Sequence, residues 1–115
     1  MNYLLLIYTN ETETMKVGEA VLQKMSGEYM EFTKSIVQAG NFKAGDRLRP
    51  VSSASTVRVR NGKIAITDGP FAETREQLGG YYLIEAKNLD EATAIAARIP
   101  GARLGSIEVR PIWPL

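Results

Sequence analysis

The chain contains no cysteine and no histidine. The first absence removes disulfides, thiolate nucleophiles and cysteine-ligated metals, a usage that suits a reducing cytosol. The second removes the commonest general base, the commonest transition-metal ligand and the usual proton switch near neutral pH. An excess of either charge is also lacking. Fourteen Lys and Arg face 13 Asp and Glu, for a net charge of +1, so neither nucleic acid nor an acidic membrane surface is an expected partner. No apolar run approaches the ~20 residues of a membrane span. Met1-Asn2-Tyr3-Leu4-Leu5-Leu6-Ile7 lacks a basic stretch and a small-residue cleavage site. It is expected to form a first strand of a cytoplasmic protein rather than a signal peptide. Neither G-x-G-x-x-G nor G-K-[ST] occurs, so no nucleotide site is expected. No metal and no cofactor are expected either.

What is present is an ordinary globular composition. The 115 residues, 44% of them hydrophobic, suffice for one domain, 1–115, and not for two. Tyr3 to Tyr8 is apolar on both alternating faces, as in a central strand. Thr9 to Thr14 reads as a polar loop ending in a helix cap. Val17, Val21, Met25, Tyr29, Phe32 and Ile36 recur at spacings of four and three, one face of a helix. Gly40 stops that helix, and Ser26-Gly27 marks either a break or a close contact within it. Asn41 to Leu48 carries weak strand signals with Gly45 and Asp46 as turn residues. Thr56-Val57-Arg58-Val59-Arg60 and Lys63-Ile64-Ala65-Ile66-Thr67 alternate around Asn61-Gly62, which favours a type I′ hairpin turn. That register pairs Val59 with Ile64 and Val57 with Ile66 on one face, expected to be buried. A strand from Tyr81 to Ala86, a helix opened by Asn88 with Glu91 at capping-box spacing, and a last strand from Ser106 to Ile112 complete the chain. Pro111 places the last strand's end at an edge. The order predicts an α+β fold of the ferredoxin-like βαββαβ plan with an extra hairpin, helices on one sheet face.

Helices on one face leave the other open. Tyr3, Leu5, Ile7 and Leu4, Leu6, Tyr8 are both apolar sets, and Tyr81 and Leu83 oppose Tyr82 and Ile84. Whichever set faces away from the helices exceeds the apolar patch of a normal monomer. A homodimer through the sheet face is therefore expected; the alternative is a monomer with tyrosines at its rim.

The densest chemistry lies in Thr67-Asp68-Gly69-Pro70-Phe71-Ala72-Glu73-Thr74-Arg75-Glu76-Gln77-Leu78-Gly79-Gly80-Tyr81-Tyr82. Asp68 either starts a turn by bonding its own backbone or acts as an acid, base or anchor at the mouth of a cleft. Phe71 walls a pocket or plugs the core. Glu73 and Arg75 read as a solvated face, Glu76 as a second carboxylate candidate, and Thr74-x-x-Gln77 as the start of one helical turn. Gly79-Gly80 suggests a bend or a close backbone approach. Arg49, beside Pro50, is a candidate anion binder. Tyr81 is a candidate pocket hydroxyl, with strand packing as its plain alternative. Trp113 covers an edge or docks on a partner.

This run, from Asp68-Gly69-Pro70-Phe71 to Gly79-Gly80-Tyr81-Tyr82, resembles the signature of the YCII-related proteins of the DGPF subgroup. Tyr3-Leu4-Leu5-Leu6-Ile7-Tyr8 is similar to the family's first strand, Thr56-Val57-Arg58-Val59-Arg60-Asn61-Gly62-Lys63 to its hairpin, and Ile107-Glu108-Val109-Arg110-Pro111-Ile112-Trp113 to its end. The resemblance implies a dimeric α/β-barrel arrangement in a bacterial cytosolic protein. It also implies a cleft lined by the sheet, Asp68 as the functional residue of the motif and, for some members, association with extracytoplasmic-function sigma factors. The His–Asp pair of the wider family has no counterpart in a chain without histidine.

Two functions fit these residues. One is a cofactor-free enzyme acting on a small organic molecule, with Asp68 as acid or base and Phe71, Arg49 and Tyr81 binding the substrate. The other is a non-catalytic dimeric module that binds a small ligand or serves in transcriptional regulation.

Overall fold

The computed structural model describes residues 1–114. Along the chain run β1 (Asn2–Thr9), α1 (Glu11–Met15), α2 (Glu19–Gln38), β2 (Phe42–Arg47), β3 (Ser55–Arg60), β4 (Lys63–Asp68), β5 (Gln77–Glu85), α3 (Leu89–Ala97) and β6 (Ser106–Pro111). Short 3₁₀ turns at Val51–Ser53 and Pro100–Arg103 precede β3 and β6. Four strands form one antiparallel sheet in the order β2-β5-β1-β6, and β3 and β4 form a second sheet of their own.

The core forms where the helices meet the four-stranded sheet. On β1 the alternation is strict: Tyr3, Leu5 and Ile7 are buried while Leu4, Leu6 and Tyr8 are half-exposed. Tyr82 and Ile84 of β5 continue the buried face, and Phe32 and Ile36 of α2 with Ala92, Ile95 and Ala96 of α3 close over it. Phe32 meets Tyr82 edge-on, with ring centroids 5.2 Å apart. The Tyr82 hydroxyl shares a 2.7 Å hydrogen bond with the Thr33 hydroxyl, so the ring is buried without leaving its polar end unpaired. α2 ends as its sequence suggests. Asn41 N–H donates to Ile36 O at 2.9 Å and Gly40 N–H to Val37 O at 3.1 Å, the paired bonds of a Schellman ending. Asn88 caps α3, its side-chain oxygen accepting from Glu91 N–H at 2.9 Å.

Several expectations are corrected. The α+β class stands, but no sheet closes into a barrel. Among the described residues the main sheet has four strands in the order β2-β5-β1-β6, and its edge strands β2 and β6 do not pair with each other or with the hairpin, so the sheet is open; the dimeric α/β-barrel description therefore fails. The polar stretch after β1 is not a loop. Asn10 caps the short helix α1 by accepting from Glu13 N–H at 3.0 Å. Ser26-Gly27 does not break α2, which runs through it. Thr74 opens no helical turn; its hydroxyl donates to Glu76 O at 2.6 Å and β5 begins at Gln77. Gly79 is the extra residue of a bulge opposite the Ile7–Tyr8 step of β1. At Gly80 the backbone approach is close, since a Cβ there would stand 2.9 Å from the Asp46 carbonyl oxygen.

The largest correction concerns the hairpin. Its register is as expected, with Arg60 opposite Lys63, Val59 opposite Ile64 and Val57 opposite Ile66. Asn61 and Gly62 have φ of 52° and 75°, both positive as a type I′ turn requires. The shared apolar face is not buried. Val57, Val59, Ile64 and Ile66 are 57–70% exposed, because the hairpin stands apart from the main sheet and packs on little else.

Candidate functional site

Asp68 is the last residue of β4, at the foot of the hairpin, and is exposed. Its neighbours hold the turn with backbone. Gly69, at φ 94°, donates its N–H to Ala54 O at 2.7 Å, and the Thr56 hydroxyl donates to Gly69 O at 2.9 Å. Neither bond uses the Asp68 carboxylate. Phe71 follows in a loop and is 78% exposed, filling no part of the core. Arg49 lies exposed in the connection after β2. That connection is tied down by the Glu11 carboxylate, which accepts from Val51 N–H at 3.2 Å, and by Leu48 N–H, which donates to Gly79 O at 2.9 Å. Glu76 accepts from the Ser106 hydroxyl at 2.9 Å, bracing the start of β5 against β6. Trp113 lies exposed beyond β6.

Tyr81 lies elsewhere, on the face of the main sheet turned away from the helices. Leu4, Leu6 and Tyr8 of β1, Leu83 of β5 and Ala44 of β2 share that face with it, all half-exposed. The Tyr81 hydroxyl donates to Asp46 Oδ2 at 2.7 Å. That hydrogen bond, reinforced by the negative charge of Asp46 and slight burial, raises the phenol above its usual value near 10. Asp46 escapes the sequence reading because Gly45-Asp46 looks like a turn. In fact Gly45 pairs with Tyr82, where a Cβ would come within 2.8 Å of the ring, and Asp46 pairs with Tyr81. The open face is thus an apolar field with one polar pair near its β2 edge. Glu108 and Arg110 of β6 border it on the other side, linked by an ion pair. Asp68, Phe71 and Arg49 flank the hairpin's two legs in sequence, whereas Tyr81 sits with Asp46 on the open face of the main sheet.

On the helical side a shallow groove of about 620 Å³ runs between α2 and the Pro100–Arg103 turn. Two of the three cations that line it, Arg98 and Arg103, are engaged. Arg98 lies over the Phe32 ring, 5.5 Å from its centroid, and donates to the Ser35 hydroxyl; Arg103 pairs with Glu28 at 2.8 Å. They clamp the helices together. Tyr29, beneath them, accepts from Gly101 N–H at 3.1 Å, and burial raises its phenol above the usual value. No group of three or more His, Cys, Asp or Glu that could hold a metal occurs among the described residues. No helix among them is long and apolar enough to cross a membrane.

The fold and the motif can be set beside known proteins. The model of the YCII-related domain matches residues 1–115. The chain belongs to the YCII-related family. It is also similar to an uncharacterized protein of Rhizobium meliloti (strain 1021), with 37% identity over 114 residues, 97% of this chain and 92% of that protein. The family match therefore takes in the hairpin and the Asp68 motif as well as the four-stranded sheet.

Proposed function

We propose that this YCII-family chain belongs, by the resemblance of its Asp68-Gly69-Pro70-Phe71 motif, to the DGPF subgroup and is a homodimeric, cofactor-free module of the cytoplasm that binds a small organic ligand at its sheet face. The observation that carries this reading is the open face itself. Leu4, Leu6, Tyr8, Tyr81 and Leu83 form one continuous apolar field on β1 and β5 that the helices leave uncovered, and contiguous apolar surface of this kind marks interaction sites. A field of that kind with a single hydrogen-bonded Asp46–Tyr81 pair has the make-up of a ligand surface, mostly apolar with few directing polar groups. Covering by a second copy turns an open surface into an enclosed one. A regulatory form of the same reading has the dimer bind an extracytoplasmic-function sigma factor, tested by co-elution of the two purified proteins.

The enzymatic reading is favoured by one observation: the turn at Gly69 is held without the Asp68 carboxylate, which leaves that group available as an acid or base. In the single chain, however, it stands in water rather than in a desolvated pocket that would tune it. Leu83→Arg tests the binding reading. It places a charge in the centre of the open face and should turn a dimer into a monomer with unchanged far-UV circular dichroism. A variant that stays dimeric would refute burial of this face.

A further inference from the structure

The hairpin β3–β4 poses a problem that the rest of the fold does not solve. An isolated two-stranded hairpin is marginal in water, yet this one packs on little but itself. Val57, Val59, Ile64 and Ile66 line one side, 57–70% exposed; Arg58, Arg60 and Lys63 lie on the other. An amphipathic hairpin with one oily side and one cationic side is made to lie on an apolar surface with its cations outward. The core of its own chain, between helices and sheet, contains none of the four.

The molecule's dimensions agree. Its radius of gyration is 16.1 Å, against about 13 Å for a compact domain of this length, and its extents are 47 × 43 × 19 Å. Both legs of the arm leave the body beside a proline, Pro50 before β3 and Pro70 after β4, residues whose fixed φ stiffens a connection. The legs are tied to each other at the foot by Gly69 N–H to Ala54 O and by the Thr56 hydroxyl to Gly69 O. The arm is therefore held away from the body as a unit.

We propose that the arm is exchanged: each copy lays the Val57–Val59–Ile64–Ile66 face of its hairpin on the open sheet face of the other copy, over Leu4, Leu6 and Leu83. This rests on the homodimer reading above and names what covers the face. It also makes each ligand surface a composite, floored by one chain and roofed by the other. Area selects a second copy as the occupant. Four aliphatic side chains offer roughly 400 Å² per arm, and the partly exposed Leu4, Leu6 and Leu83 beneath it roughly 200 Å² more, so the two exchanged contacts bury about 1,200 Å², within the range of stable specific interfaces. The arrangement is isologous, so one surface and one arm per chain satisfy both partners and leave neither exposed.

Intermolecular nuclear Overhauser effects in an equimolar mixture of methyl-labelled and unlabelled chain test it. The expected result is cross-peaks from the methyls of Val57, Val59, Ile64 and Ile66 in one copy to those of Leu4, Leu6 and Leu83 in the other. As a second measurement, Val59→Ser with Ile64→Thr should raise the dimer dissociation constant at least about 100-fold, with circular dichroism unchanged because neither residue belongs to the core. A dimer whose cross-peaks join only sheet to sheet, or whose dissociation constant ignores the double substitution, overturns the exchanged arm and leaves the homodimer standing. A chain that is monomeric at every concentration overturns both.

Discussion

At the scale of single residues, the motif around Asp68 separates into parts with different jobs. Gly69 and Thr56 hold the turn, so Asp68→Asn should change folding stability by no more than about 0.5 kcal/mol in urea denaturation, as for a surface substitution outside any bonded network. A much larger loss would restore Asp68 to the role of turn-former; unchanged stability with lost turnover on some substrate would favour the enzyme. Tyr81 gives a pH signature. Its phenol is raised by the bond to Asp46, so the folded state holds that proton more tightly than the unfolded chain does. The resulting stability is fully present below about pH 10, the unfolded value, and is lost as pH rises through the folded one. Ultraviolet titration of wild type against Tyr81→Phe should show one of two late-ionising phenols vanish in the variant, the one that remains being Tyr29. The motif is legible in sequence, but Asp46 is not. Gly45-Asp46 has turn composition, and only the pairing of β2 with β5 shows that the glycine makes room for Tyr82 while the aspartate meets Tyr81.

At the scale of elements, periodicity predicts structure well and burial less well. Asn61-Gly62 and the flanking alternation suffice to set the hairpin's register, since turn chemistry and side-chain period are both local. What covers an apolar face is a tertiary fact, and no local pattern carries it. The same gap appears in α2, where the expected stripe has Phe32 and Ile36 buried but Val21 48% exposed. The short α1 is missed because its five residues show no apolar period and its cap, Asn10, precedes a polar stretch. Two substitutions probe the sheet-and-helix core. Ile36→Ala, at a position with no solvent exposure, should cost about 2–5 kcal/mol. Gly80→Val should cost about 1–3 kcal/mol or more, since its Cβ meets a backbone carbonyl that can move only by bending the β2–β5 pairing. Chemical denaturation followed by far-UV circular dichroism measures both. By contrast Ile66→Ala, on the exposed arm, should leave the stability of the isolated chain within about 0.5 kcal/mol.

At the scale of the whole molecule, a well-packed half and an unfinished half share one chain. The helices complete one face of the four-stranded sheet; the other face and the hairpin remain unsatisfied, and each is the kind of surface that the other needs. Sequence reasoning anticipates the open face because both residue sets of β1 are apolar, and errs on the barrel because strand count and edges decide closure. The central claim, that a second copy covers the open face, is tested most directly by sedimentation equilibrium of the wild-type chain across the micromolar range. Burial of that face predicts a species of twice the 12.7 kDa chain mass; a single species at 12.7 kDa throughout would contradict it.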